Sequence, residues 1–509
     1  MRKNIMNAAI LLLLAFVAGA CSDSDTTKTV DNGRRYGDAT VLQVLDDNES
    51  DVSTMSFSLG ASSKIVGINC DGDWKATVDA EWVTLSNYSG YGFANKYSYD
   101  KITVEKNKGS ERTATVTFTS GSISKQLAIT QKGAGGDPDD PFETSFELIE
   151  NLKMGYNLGN TLDANADPAQ SWFNPTGPGD WEAYETVWGQ PVTTQEIIDY
   201  IVSKGFNIIR VPVTWFPHVD ENWNINETWM NRVQAVVDMV LSTGSYCIIN
   251  VMHDTGARDA SRTDNQCWLN ADPDKYEANT VIYQKLWTQI ATRFRNYDDR
   301  LIFESFNEIL DKNYSWTAPA EGDEAYTVIN KLQQDFVNTV RATGGNNSYR
   351  NLAITTYSAT GNSDAAVNSF QLPDDVASNH IYLSIHSYDP YNFCNNNSGK
   401  NADGTEYDYN QEIFDSDCQA TIDAVFARVS KRANEVGIPF IFGEFGAIDA
   451  GKALAERIKY AKYLKSKYTQ YETAGLWWMG LIDRKTLTTN VPYDGMTVDE
   501  SEIIDALMK

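Results

Sequence analysis

Two glutamates stand where an apolar, β-prone run gives way to a loop. Phe306-Asn307-Glu308 closes the run LIFESFNE (301–308), and Gly443-Glu444-Phe445-Gly446 closes PFIFGEFG (439–446). A pair of carboxyl groups brought face to face can divide acid–base work, one protonated to donate and one ionised to attack. Cleavage of a glycosidic bond needs that division, and a separation of about 5 Å selects the route with retention at the anomeric carbon. Other polar residues fall at the ends of similar runs: Asn157 and Asn160, Arg210, His253, Asn307, His386, Tyr388 and Trp478. Glu304 shares the strand parity of Glu308 but lies about 13 Å deeper along the same run. It is expected in the interior, paired with a buried donor and structural in role.

These residues need a scaffold that gathers strand ends. From about residue 145 the chain alternates apolar β-prone runs with helical patterns. The runs are 153–161, 207–215, 246–254, 301–308, 351–358, 382–389, 439–446 and 475–483. Between them, Thr193-Thr194-Gln195-Glu196 reads as a capping box ahead of Ile197, Ile198, Ile201 and Val202. Trp229, Val233, Val237 and Val240 then share one face of a second helix. Gly205, Gly244, Gly344 and Gly437 stand where left-handed C-caps are needed before the next strand. Eight such units specify an α/β (β/α)8 TIM barrel, whose chemistry sits at the C-terminal ends of the strands. A doubly wound sheet is the rival, but no glycine-rich phosphate fingerprint follows the first run.

The strings themselves resemble glycoside hydrolase family five. Phe306-Asn307-Glu308 and Gly443-Glu444-Phe445-Gly446 stand with Gly155-Tyr156-Asn157-Leu158-Gly159-Asn160-Thr161-Leu162-Asp163, Arg210-Val211-Pro212-Val213-Thr214-Trp215, His386-Ser387-Tyr388 and Trp477-Trp478 in the family's order over 145–509. The resemblance implies Glu308 as acid/base and Glu444 as nucleophile. It implies Asn307 on the sugar 2-hydroxyl, Arg210 and Tyr388 on Glu444, His386 positioning the acid/base, and Trp478 as a stacking floor. Repulsion between the glutamates, with Arg210 beside Glu444, is expected to push their pKa values apart. On the third strand the family commonly shows two histidines, where this chain has Met252-His253. His253 either substitutes or supports from behind. His218 and His380 are expected to be surface or structural.

Aromatic residues on the expected barrel-top loops (Trp172, Phe173, Trp181, Trp188, Trp268 and Trp316) either stack along a polysaccharide or pack their own loops. With Trp188-Gly189-Gln190-Pro191, the first-strand string resembles the family's endo-β-1,4-glucanase branch. The implied substrate is a neutral plant β-glucan, with xyloglucan first and cellulose or mixed-linkage glucan second. A non-catalytic surface glycan-binding lipoprotein is the alternative from another class, and its mark would be loss of Glu308 or Glu444.

The segment before the barrel has a different pattern. Arg2 and Lys3 precede an apolar stretch that ends Gly19-Ala20-Cys21. Residues 1–20 thus read as a secretory signal, and the string resembles a bacterial lipobox with Cys21 lipidated. Ser22-Asp23-Ser24-Asp25 resembles a surface-export signal of Bacteroidetes-type lipoproteins. Residues 21–35 form a tether. Residues 36–133 hold short β-rich runs at 52–59, 64–69, 73–78, 101–105, 113–119 and 123–130 that suggest a small all-β sandwich, and the order Asp73-Trp74, Glu81-Trp82-Val83, a Gly-rich turn and Thr130-Gln131-Lys132-Gly133 resembles the immunoglobulin-like BACON domain. Trp74 and Trp82 are expected in its core, with a sugar platform as the other reading. Residues 134–144 form a Gly/Asp/Pro linker, and 145–509 the catalytic domain. No Cys-x-x-Cys spacing supports a zinc site, no cofactor is expected, and only Cys394 with Cys418 could bridge.

Composition agrees. The 509 residues carry 42 Lys+Arg against 69 Asp+Glu, a net charge of −27 that counts against a nucleic-acid partner. Outer-membrane attachment through the lipid and a monomeric state are expected. Thirteen Trp and 26 Tyr suit a ligand with flat apolar faces and many hydroxyls.

Overall fold

A computed structural model describes residues 34–35, 39–46, 49–57, 62–93, 97–105, 107, 111–131, 142–395, 398–400, 406–408, 411–449, 452–485 and 500–509. The signal segment, Cys21 and residues 132–141 lie outside them. The chain divides into two compact units. Among the described residues, no helix is long and apolar enough to cross a membrane.

Beside a two-stranded antiparallel pairing of Arg34–Arg35 with Gly92–Phe93, the N-terminal unit has two main sheets. One orders Leu42–Leu45, Ser62–Cys70, Ser98–Val104 and Val83–Leu85; the other orders Thr54–Phe57, Ile123–Gln131, Arg112–Ser120, Trp74–Val78 and Ser89–Gly90. Period-two alternation builds them: Ala114, Val116 and Phe118 are buried while the threonines between them are not. Trp74 is core, 2% exposed, its ring edge-on to Phe118 and its Nε1 donating to Ser98 Oγ across the two sheets. A side chain at Gly90 would overlap its indole. Trp82 is half-buried. Leu42–Leu45 and Val83–Leu85, too short to show a period, were not anticipated from the sequence.

The second unit is a closed barrel of eight parallel strands: β1 (Gly155–Asn157), β2 (Ile208–Val211), β3 (Tyr246–Ile249), β4 (Leu301–Glu304), β5 (Leu352–Ile354), β6 (Ile381–Ser387), β7 (Phe440–Phe445) and β8 (Gly475–Trp478). β8 pairs with β1 to close it. Helices Gln195–Ser203, Glu227–Ser242, Tyr276–Phe294, Glu324–Ala342, Asp364–Ser369, Ser416–Val436, Leu454–Gln470 and Ser501–Met508 follow the strands in turn. The first is capped by Thr194, whose hydroxyl accepts from Ile197 N, one residue later than the capping-box reading places it. Gly205, Gly244, Gly344 and Gly437 all have positive φ, as expected of helix ends.

Inside the barrel the strands alternate. Ile208, Ile248, Ile302, Ala353, Tyr382, Ile441 and Leu476 form an apolar layer, closed from the N-terminal end by Leu148, Ile149 and Leu152. Each such fully buried aliphatic side chain contributes about 1.5–3 kcal/mol. Two residues further along, the same inward parity supplies Arg210, Asn250, Glu304, Ser384, Gly443 and Trp478. The floor of the site is therefore polar and rests on a dry plug.

Candidate active site

The polar layer is organised around Arg210. It is 0% exposed, and every nitrogen of its guanidinium has a partner. Nε donates to Glu304 Oε2 at 2.7 Å, Nη1 to Glu444 Oε1 at 2.6 Å and to Asn157 Oδ1 at 3.0 Å, and Nη2 to Asn307 Oδ1 at 2.9 Å. Asn157 is anchored in turn by its Nδ2 on Gly443 O at 2.9 Å. Burial opposes the charge on Arg210, but Glu304 and Glu444 outweigh it and raise its pKa further. The cation is permanent.

Strict alternation would turn Glu444 out of the barrel, since Ile441 and Gly443 face inward. The β6–β7 register skips a residue, so that Ile385 pairs with Phe442 and His386 with Glu444. This bulge re-aims Glu444 toward the barrel axis and sends Phe445 into the outer shell, against Tyr468 and Trp477. Glycine is required at 443, because a Cβ there would overlap Ser384 Oγ. Strand four also departs from the sequence reading. β4 ends at Glu304, and Phe306 packs in the outer core, so parity does not carry through to Glu308. Asn307 instead reaches Arg210, and its backbone N–H donates to Val251 O.

Glu308 and Glu444 meet at His386. His386 Nδ1 lies 2.8 Å from Glu308 Oε1 and 3.6 Å from Glu444 Oε2. An oxygen of each glutamate and a nitrogen of His386 all lie within 4.8 Å of one another. Tyr388 OH donates to Glu444 Oε2 at 2.9 Å. Burial keeps this phenol protonated by raising its pKa well above the ordinary value, and the charges of Glu444 and Glu308 add to that. His386 is raised as well: burial works against its charge, but Glu444 and the contact to Glu308 prevail. For Glu444, burial is the largest influence and raises the carboxyl above its ordinary 4.5. His386 and Arg210 pull it down, Glu308 pushes it up, and the Tyr388 hydrogen bond lowers it. Arg210 lowers this carboxyl, as its place beside Glu444 implies, but desolvation in the bulged, buried position is the larger influence. Both Glu444 oxygens nonetheless accept from groups that only donate here, which is a cradle for the anion.

Trp478, half-exposed, continues the inward row of β8 beyond Leu476. It lies against Gly159, where a Cβ would stand 2.8 Å from the indole. Arg484, buried, donates to Gly159 O at 2.6 Å and fixes that loop. Trp478, Tyr388 and Asn160 line one cavity of about 390 Å³ with Gly446 and Ile448. A larger depression, about 950 Å³, opens around Met154, Gly205 and Pro439 at the opposite end of the strands, away from both glutamates.

Met252 takes the inward place on strand three, 3% exposed, with its sulfur 3.7 Å from Asn250 Nδ2. His253 is turned aside. Its Nε2 lies 3.7 Å from Asp163 Oδ2, and its ring meets Trp188 edge-on at 5.2 Å. Asp163 accepts from the backbone of Asn160 and Thr161, so His253 supports the loop after β1. Neither Asp163 nor Asn250 is assigned a role by the sequence. The first is the last residue of the conspicuous string after β1, and the second is two residues before Met252 on the inward parity.

The aromatic loop residues divide. Trp172 and Trp316 are 66% and 56% exposed. Phe173 is buried against Tyr184, and Trp181 is covered by the Arg232 guanidinium. Trp268 is tied by Nε1 to Asp254 Oδ1 at 2.6 Å and packs on Trp223. Of the two readings for these loop aromatics, Phe173, Trp181 and Trp268 take loop packing. His218 and His380 are buried rather than at the surface. Cys394 and Cys418 are free thiols, as are Cys70, Cys247 and Cys267.

A family model described as cellulase (glycosyl hydrolase family 5) matches residues 163–479, and the BACON model matches 72–132. The cellulase/esterase CelE of Acetivibrio thermocellus is 34% identical over 380 residues, 72% of this chain but only 40% of that protein's length. The xyloglucan-specific endo-beta-1,4-glucanase BoGH5A of Bacteroides ovatus is 29% identical over 532 residues, covering 97% of this chain and 95% of its own. Among solved structures, PbGH5A of Prevotella bryantii in complex with a xyloglucan tetradecasaccharide superposes with a TM-score of 0.62 at 34% identity, over 72% of this chain and 98% of that one. With the closed barrel, the carboxyl pair and a family match over most of the chain, the protein belongs to glycoside hydrolase family 5.

Proposed function

We propose that the chain is a retaining endo-β-1,4-glucanase with xyloglucan as its preferred backbone. The observation that carries this reading is the carboxyl pair, with an oxygen of Glu308 and one of Glu444 within 4.8 Å. That is the close spacing of double displacement, shorter than the ~6.5–9.5 Å at which inverting enzymes place an attacking water. Glu444, cradled by Arg210 and Tyr388, attacks the anomeric carbon. Glu308, whose side chain is 20% exposed, gives its proton to the leaving oxygen and then takes one from the water that releases the sugar. His386 holds Glu308 through Nδ1 and stands 3.6 Å from Glu444 with the same nitrogen, so it positions the acid/base beside the nucleophile. Asn307 has its carbonyl oxygen held by Arg210, which turns its amide N–H to a substrate hydroxyl. Trp478 stacks under the sugar at the cleavage point. Asn160 borders it, His253 braces that loop, and Trp172 and Trp316 offer stacking surface further out.

The preference for xyloglucan is supported by the name of the relative that shares nearly the full length of this chain, and by the ligand of the Prevotella structure. A β-glucan without branches is the second reading, favoured by the relative named as a cellulase. The test is incubation with xyloglucan, barley β-glucan, cellulose and glucomannan, followed by reducing-end assay. Fastest release from xyloglucan supports the proposal. Faster release from barley β-glucan selects the second reading, and no release from any glucan contradicts both. We further propose that Cys21 carries lipid and holds the enzyme at the cell surface, in the outer membrane.

A further inference from the structure

Glu304 is buried at 1% exposure in the middle of the barrel, and hydrolysis as outlined above gives it no step. Three donors from three strands converge on it. Arg210 Nε from β2 and Asn250 Nδ2 from just beyond β3 reach Oε2 at 2.7 and 3.0 Å, and Ser384 Oγ from β6 reaches Oε1 at 2.8 Å. The Cα of Gly443, which precedes Glu444, is packed against the same group: a Cβ there would stand 3.6 Å from Glu304 Oε1. Arg210 is thus one cation between two carboxylates, Glu304 on Nε and Glu444 on Nη1.

The consequence follows from what a nucleophile must do. A carboxylate held alone by a buried guanidinium would be stabilised in the ground state, and attack would have to surrender that ion pair. We propose that Glu304 is a positioning residue that divides the charge of Arg210, so that the guanidinium orients Glu444 without quenching it as a nucleophile. This rests on Glu444 being the nucleophile. The charged and titratable groups that face Glu444 are Arg210 from β2, Glu308 beyond β4, and His386 and Tyr388 from β6 and its end; Glu304 acts through Arg210.

Glu304→Gln is the decisive variant. The amide oxygen can keep Arg210 and Asn250 as donors, and the amide nitrogen can donate to Ser384 once that hydroxyl turns, so the charge is removed with the contacts kept. The probe is 2,4-dinitrophenyl 2-deoxy-2-fluoro-β-cellobioside, whose leaving group needs no proton from Glu308. The rate at which it labels Glu444 therefore reports that carboxylate, followed by intact mass against pH. With Arg210 undivided, Glu444 should ionise more readily and attack more slowly. The acid limb of Glu304→Gln should move to lower pH by about one unit and the plateau fall about tenfold. Ser384→Ala removes a donor but no charge, and its limb should stay in place. A Glu304→Gln profile superimposed on the wild type overturns the proposal. Equal displacement in Ser384→Ala also overturns it, since the limb would then follow packing. Wild-type enzyme labelled at another residue contradicts instead the assignment of Glu444.

Discussion

At the scale of single residues, the site is a chain of donors ending on one carboxylate. Arg210 and Tyr388 hold Glu444, while burial raises its pKa above 4.5. A carboxyl that must be ionised to attack loses activity as pH falls through its own pKa. The acid limb of kcat/KM should therefore lie above the ordinary glutamate value, and a limb at or below 4.5 would contradict the burial argument. Glu444→Ala should abolish turnover while glycan binding survives, measured by reducing-end assay and calorimetric titration; near wild-type turnover would remove Glu444 from its role. Both glutamates could be found in the sequence because each ends an apolar run with a short polar signature. The reason Glu444 faces inward could not, because a bulge inverts parity without leaving a mark beyond Gly443. Nor could the ring of donors around Glu304, whose three members come from β2, the end of β3 and β6 and are scattered between Arg210 and Ser384.

At the scale of elements, loops are fixed by buried groups that composition does not reveal. His218 ends the short helix Phe216–His218 after β2, stacks on Trp229 with ring centroids 3.5 Å apart, and meets Pro178 O through Nδ1 at 2.6 Å. It thereby ties the loop after β1 to helix Glu227–Ser242. Burial lowers its pKa from 6.5 to about 3. Above pH 6.5 both folded and unfolded chains carry it neutral. Below that value the unfolded chain takes up a proton that the folded barrel refuses, so stability falls toward pH 3 by about 1.4 kcal/mol per unit at most. His218→Phe keeps the stacking and removes the titration. Its melting temperature should fall less steeply than the wild type's between pH 6.5 and 5, and equal slopes would rule His218 out as the cause. The helical faces of Gln195–Ser203 and Glu227–Ser242 were legible because their apolar spacing is regular. His218 was not, since a lone histidine in a loop looks the same in sequence whether it is solvated or sandwiched.

At the scale of the whole molecule, a small sandwich and a large barrel share one chain. The barrel was legible because eight apolar runs recur with glycine-ended helices between them. The division of the loop aromatics was not: Trp172 and Trp181 look equivalent in sequence, and only the covering guanidinium of Arg232 separates them. If Cys21 is the anchor, Cys21→Ala should move the protein from the membrane pellet to the soluble fraction, and an unchanged distribution would remove the lipid from the account. The central claim, that Glu308 and Glu444 work as a closely spaced pair in double displacement, is tested most directly by proton NMR of the first product released from xyloglucan. Hydrolysis with retention predicts that the β-anomer of the new reducing end appears first and then mutarotates. First appearance of the α-anomer would mean inversion and would contradict the account.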